Sequence, residues 1–318
     1  MPRNVPDPRK LRRVAATMRF QIGPLEKAFR LAAFLAELAS HPFLKDRLVL
    51  KGGTNLNLFH GTMERLSVDA DLNYIGQVGT DGMQAERPEI CAGIEALSKE
   101  LGYRFSIEKD EHALRTYHLR FRGVGGNEDL IKLDLNFLER VPVLLPIERI
   151  PPPSLLEVDG PPVPCLQLIE VAGSKLATLL LRGASRDLFD LSSLRRMPVD
   201  WTFARKIALF HGFLDHVRLR NLDPSRVKDI TERDFNRGLR NLLRKGQSMH
   251  LEDLKEAATP LVDSVFPLQP TEERCREDLA RGQWNPAFLF GNLPFNPVIQ
   301  DHPGMLWRLQ HPEARLPS

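Results

Sequence analysis

Cysteine is scarce in this chain: its 318 residues hold three, Cys91, Cys165 and Cys275, far apart and odd in number. That spacing excludes the close thiol pairs of zinc ribbons and redox motifs, so the three read as buried thiols in a reducing compartment. Apolar runs are short, and none approaches the roughly 18 to 20 residues that span a bilayer. Residues 1–13 are basic and proline-bearing but lead into no apolar stretch with a small-residue cleavage site. No secretory signal is therefore expected, and the cytoplasm is the expected location. A strong charge imbalance is missing too; a net charge of +3 neither demands nor excludes a nucleic-acid partner. Repeats and low-complexity tracts are absent.

What remains is the composition of a globular protein, long enough for one large domain or two ordinary ones. Residues 25–40 follow Pro24 and carry Leu25, Phe29, Leu31, Ala32, Leu35 and Leu38 at helical spacing. A short apolar run at 48–50 ends in Lys51-Gly52-Gly53-Thr54, which reads as strand, glycine turn and helix start. Three stretches then alternate with period two, which sends neighbouring side chains to opposite faces. In 67–75, Val68, Ala70, Leu72 and Tyr74 share one face, while Asp69, Asp71 and Asn73 share the other. In 116–122, Tyr117, Leu119 and Phe121 oppose His118, Arg120 and Arg122. In 131–137, Ile131, Leu133, Leu135 and Phe137 oppose Lys132, Asp134 and Asn136. Such strands predict a sheet with one dry face packed on helices and one chemically loaded face.

Eight prolines from position 142 to position 164 argue against a helix interior or central strand there and mark an expected domain boundary. Beyond it the pattern is helical over 166–181, 186–194, 201–217, 232–243 and 251–265, with a break expected at Pro260. The tail after Trp284, with Asn285-Pro286 and Asn296-Pro297, reads as aromatic and irregular. His211 and His216, five apart, do not suit a helical metal site and read as structural.

The chemistry lies in the aspartates. Transfer of a nucleotidyl group needs the triphosphate charge neutralised and an acceptor hydroxyl lined up, and two divalent ions do both. Magnesium prefers oxygen ligands. Asp69 and Asp71, at i and i+2 of one strand, point the same way, and Asp134 adds a third carboxylate from another strand. Without metal such a trio repels itself, so it makes little sense as structure alone. Gly52, Gly53 and Thr54 supply a turn whose backbone N–H groups can approach phosphate oxygens. Alone, a Gly-Gly-Thr is a tight turn and an Asp-x-Asp a solvated strand face; it is their joint, ordered appearance that points to function.

Three stretches carry a family resemblance: LVLKGGTNLNLFHGTMERLSVDADLNYIG at 48–76, IKLDLNF at 131–137 and SKLATLLLRGASRDLFDL at 174–191. In these the chain resembles the AbiEii/AbiGii nucleotidyltransferases, toxin halves of bacterial abortive-infection toxin–antitoxin systems. The resemblance implies an α+β architecture: a DNA polymerase β-type nucleotidyltransferase domain with the metal site at 1–160, then a C-terminal helical domain at 161–318. It implies a phosphate-binding role for Gly53 and Thr54 and metal binding by Asp69 and Asp71. Lys175 falls on the family's third-motif lysine, with Arg186, Asp187 and Asp190 on the segment after it. Magnesium or manganese, an NTP substrate, an RNA acceptor, notably tRNA ends, and a co-encoded antitoxin are implied in the same way. One departure is Asn55, where the family often has Ser or Ala.

From the residues themselves, Lys175 is either a solvated lysine or a point charge for phosphate, and either Asp187 or Asp190 can meet it. Arg233, Arg237, Arg240 and Arg244, spaced four, three and four, predict one helical stripe for a phosphate backbone, as the face of His118, Arg120 and Arg122 also can. Three rival functions use parts of the same pattern. Transfer to a small molecule does not need the stripe, transfer to a protein hydroxyl puts label on protein, and a non-catalytic RNA-binding module releases no pyrophosphate.

Overall fold

The computed structural model of the protein describes residues 5–314 apart from positions 62 and 248; of the basic stretch at 1–13, residues 1–4 lie outside the described residues. Two helices open the chain, α1 (Pro8–Met18) and α2 (Ile22–Ser40). Strand β1 (Leu48–Lys51) runs into α3 (Gly52–Thr54) and a π-helical turn, Asn55–His60. Then come β2 (Asp69–Tyr74), α4 (Thr80–Glu100), β3 (Arg104–Asp110), β4 (Leu114–Arg122) and β5 (Glu128–Asn136). Short strands β6 (Glu148–Ile150) and β7 (Val163–Cys165) complete one seven-stranded sheet of order β3-β4-β5-β2-β1-β7-β6.

Alternation works as expected in the sheet. Ile131, Leu133 and Leu135 of β5, Tyr117, Leu119 and Phe121 of β4, and Ala70 and Leu72 of β2 are buried in one core with α1, α2 and α4. The expected face of α2 is buried throughout. On the opposite face Val49 packs against Val171 and Ala172 of α5 (Leu168–Arg182), tying the sheet to the helices that follow.

Those helices are α6 (Ser185–Leu194), α7 (Trp201–Asp215), α8 (Arg226–Asp229), α9 (Glu232–Gly238), α10 (Leu251–Asp263), α11 (Pro270–Ala280), α12 (Pro286–Phe290) and α13 (Pro303–Gln310). Most of their apolar residues form a second core. Helices α5 and α7 approach closely at Gly173, where a Cβ would meet the carbonyl oxygen of Ala204 at 2.6 Å. Among the described residues no helix is long and apolar enough to cross a membrane.

Several local expectations are corrected. The proline-rich segment was expected to hold no central strand, yet β7, which contains Pro164, lies between β1 and β6 and pairs in parallel with β1 through Leu50 and Cys165, extending the sheet past position 160. A strand of three residues leaves too little alternation to read. Helix α10 runs unbroken through Pro260: that residue and Glu256, whose carbonyl loses its partner, are both exposed, so water can satisfy the group. The tail is also more helical than expected. Asn285 and Asn296 accept hydrogen bonds from the N–H of Ala287 and Val298, so each Asn-Pro pair starts a helical turn, α12 and the 3-10 turn Pro297–Asp301.

The helix expected over 232–243 stops at Gly238, and Leu239 (φ −125°, ψ −39°) leads into a 3-10 turn at Arg240–Leu242. Tertiary pairing overrides the helical pattern here. Leu243 forms an antiparallel bridge with Arg65, and the N–H of Leu66 donates to the carbonyl of Leu242 at 2.8 Å. The four arginines are therefore not one helical stripe.

Candidate active site

Strand β1 ends on Lys51, and Gly52 then adopts φ +70°, a left-handed conformation that an L side chain takes only with strain. A Cβ there would also collide with the carboxylate of Asp71. The turn thus needs glycine twice over, for its own geometry and to leave room for an aspartate. Gly52→Ala is expected to cost about 1–3 kcal/mol and to displace Asp71, cutting activity as well. Urea denaturation and transfer assays check this, and a variant as stable and active as the parent would show that the turn is not required.

Strand pairing then assembles the carboxylates. Antiparallel β1 and β2 set Lys51 opposite Asp71, parallel β2 and β5 set Asp71 opposite Asp134 and Asp69 opposite Lys132, and β4 sets Thr116 opposite Asp134. Neighbouring strands lie about 4.8 Å apart, so Asp71 and Asp134 are as close as a sheet allows. Asp71 has its pKa raised, first by burial and further by the charges of Asp134 and Asp69, with Lys51 and Lys175 acting against the shift. Lys51 is itself raised: burial opposes its charge, but Glu139, at 2.9 Å, outweighs it.

The trio meets the donor chemistry of a divalent ion, offering hard carboxylate oxygens on one face beside a turn that lacks a Cβ. Among the described residues no three His, Cys, Asp or Glu side chains yet converge on one point. Asp134 is turned onto neighbours, accepting from Thr116 Oγ1 at 2.6 Å and pairing with Lys132 at 2.9 Å. Asp69 lies 3.7 Å from Arg186.

Behind the turn is a buried ionic network. Lys175 bonds both candidate partners, Asp187 at 3.0 Å and Asp190 at 2.8 Å. Arg65 makes a two-pronged pair with Asp190, both contacts 2.7 Å, and Asn57 adds a third donor at 3.1 Å. Arg182 closes on Asp187 at 2.7 Å. Burial works against ionising Asp190 and Asp187, but Arg65 and Lys175 for the first, and Lys175 and Arg182 for the second, hold both below the ordinary carboxylate range. Three cations against two carboxylates leave the network net positive. It stands beside Gly53, whose added Cβ would lie 3.0 Å from Arg65 and 3.8 Å from Lys175.

Lys175 is thus neither a solvated lysine nor free for phosphate alone. Thr54 is fully buried, and its hydroxyl bonds Ser67 at 2.8 Å and the carbonyl of Asp69. It positions the start of β2 and does not present its hydroxyl to solvent. The departure at Asn55 has a use as well: its amide donates to the carbonyls of Leu50 (3.1 Å) and Leu166 (2.9 Å), stapling the ends of β1 and β7. His216 Nδ1 accepts from the N–H of Arg218, consistent with a structural role.

Four participants were not singled out from sequence. Arg182 is seven residues after Lys175, two turns along the same helix face, a spacing that could have found it. Lys51 and Lys132 were visible only as polar neighbours of the motifs. Arg65 has no periodic signal, since it meets Asp190 across 125 residues.

A sequence model of the family described as nucleotidyl transferase AbiEii toxin, Type IV TA system, matches residues 33–275. No curated protein matches the chain. Among solved structures, MenT4, a nucleotidyltransferase toxin from Mycobacterium tuberculosis H37Rv, aligns with a TM-score of 0.62 at 21% identity, over 83% of this chain and 92% of that one. JHP933 from Helicobacter pylori aligns with a TM-score of 0.49 at 18% identity, over 82% of this chain and 98% of that one. The likeness to MenT4 is one of fold.

Proposed function

Matched by that model over more than half its length, the chain belongs to the AbiEii family of type IV nucleotidyltransferase toxins, and from that premise we propose that it transfers NMP from an NTP to an RNA acceptor, notably tRNA, as a growth-inhibiting toxin in the cytoplasm held in check by a co-encoded antitoxin. The observation that carries this reading is the register of β1, β2 and β5, which lines up Asp71 and Asp134 beside the Gly52 turn and the positive network behind it.

The acceptor hydroxyl oxygen forms a bond to the α-phosphorus, the bond from that phosphorus to the α–β bridging oxygen breaks, and pyrophosphate leaves with the electron pair. Asp134 takes the hydroxyl proton or orients that hydroxyl. Asp69, Asp71 and Asp134 would hold magnesium or manganese, which when bound neutralises phosphate charge. Lys175 and Arg65 keep the region behind Gly53 positive, while Arg182 and Arg186 offer more exposed guanidinium groups to the triphosphate. For Asp134 to act it must exchange Lys132, which is then available to a phosphate of the acceptor.

Incubation with each labelled NTP, magnesium and total RNA tests the reading: label on RNA supports it, and label on protein or a small molecule overturns the acceptor assignment. Asp134→Asn is expected to bind NTP normally but lose turnover. Loss of NTP binding in that variant would instead make Asp134 a triphosphate-site residue.

A further inference from the structure

The broken arginine stripe leads to a second site. Glu232, Asn236 and Arg240 share one side, linked by an Arg240–Asn236 hydrogen bond of 2.9 Å, and face a cavity of about 460 Å³ to which Arg233 and Arg237 do not contribute. After the helix breaks, the chain returns along the cavity wall and brings Arg244 and Lys245 to it. Gln21, at the start of α2, closes another side.

The lining combines three kinds of chemistry. Arg240, Arg244 and Lys245 face a single carboxylate, Glu232, so the cavity favours an anion. Gln21, Asn236 and Gln247 carry amides, which donate and accept and so can meet base edges and ribose hydroxyls. Phe235, Leu243 and Met249 give an apolar wall for a flat ring. The volume lies within the range of small-ligand sites and suits one nucleotide.

The cavity is also joined to the catalytic turn. Leu243 bridges Arg65, Leu242 accepts from Leu66, and Arg244 Nη2 donates to the carbonyl of Met63 at 3.4 Å. Its wall is thus bonded to the segment that places the Arg65 guanidinium beside Gly53 and leads into Asp69.

We propose that this cavity between α2 and α9 is a nucleotide subsite for the acceptor, seating one residue of an RNA strand whose end reaches Asp134. The proposal rests on the reading of the acceptor as RNA. Phosphate contacts remote from the chemistry hold a polyanion in register, and the amides grip the nucleotide itself.

The test is equilibrium binding of a fluorescent single-stranded RNA oligonucleotide in EDTA, without turnover, to the full chain and to its Arg240→Gln/Lys245→Gln variant. Both changes are on the surface. The variant is expected to bind about tenfold or more weakly, with a salt slope reduced by roughly 1.4, about 0.7 for each lost single-strand contact, while NTP binding is unchanged. Equal affinity and slope, or no oligonucleotide binding by the parent, overturns the subsite. Weaker NTP binding with RNA binding intact makes it a free-nucleotide site and overturns the RNA assignment. A parent that binds the oligonucleotide but labels no RNA overturns the transfer reading alone, and the variant's binding still decides the subsite.

Discussion

Asp71→Asn is expected to lower nucleotidyl transfer on the order of 10³-fold or more, the scale of losing a group that stabilises transition-state charge, and yet to leave the protein as stable as before or more so. Both halves follow from the same geometry. Asp71 is set between Asp134 and Lys51 by strand register and is covered by its surroundings, so its charged form is disfavoured in the folded protein. Removing that charge relieves the sheet, while Lys51 keeps Glu139 at 2.9 Å. Thermal denaturation without divalent ions should therefore show an equal or higher midpoint. Magnesium should raise the midpoint of the parent by mass action and leave the variant's unmoved. Activity above a few per cent of the parent, or an equal magnesium shift in both proteins, would remove Asp71 from the metal site. Asp69→Ala should be equally inactive.

Asp190→Ala is expected to have the largest effect on stability, about 3–5 kcal/mol, because it leaves the buried Arg65 without a carboxylate and Lys175 with one partner in place of two. The side chain is wholly buried and takes two contacts from Arg65, one from Lys175 and one from Asn57. Arg65 has no other carboxylate among these contacts, so its charge is stranded next to Gly53. Because Asp190 has a depressed pKa when folded, its contribution is complete above the unfolded carboxylate value of about 3.9 and fades as pH falls below it. Urea unfolding at neutral pH measures the loss. A difference below about 1 kcal/mol would mean that water or rearrangement satisfies the cations and that the network is not a structural tie between α6 and the turn.

The two aspartates differ in how far each could be read from sequence. Asp71 was legible because a strand's period of two is a local rule: once Ala70, Leu72 and Tyr74 are known to face the core, Asp69 and Asp71 must face away. Lys132 and Asp134 follow from the same rule, as does the glycine turn from the dipeptide after an apolar run. The family assignment and the mixed fold with its helical second half rest on these same stretches.

The buried network was only half legible. Lys175, Asp187 and Asp190 could be placed on two helices, but both aspartates meet the lysine, and Arg65 arrives from a segment 125 residues away. The arginine stripe failed for the complementary reason. Its spacing was helical, but pairing of Leu243 with Arg65 and of Leu242 with Leu66 outweighs the modest preference of a short exposed segment to stay helical after Gly238. What the sequence alone determined is which way each side chain faces within its own element, because that depends on backbone periodicity and near neighbours. Which distant residues meet, and where a helix must yield to a bridge, was decided by tertiary packing, because those energies exist only once separate segments have been brought together.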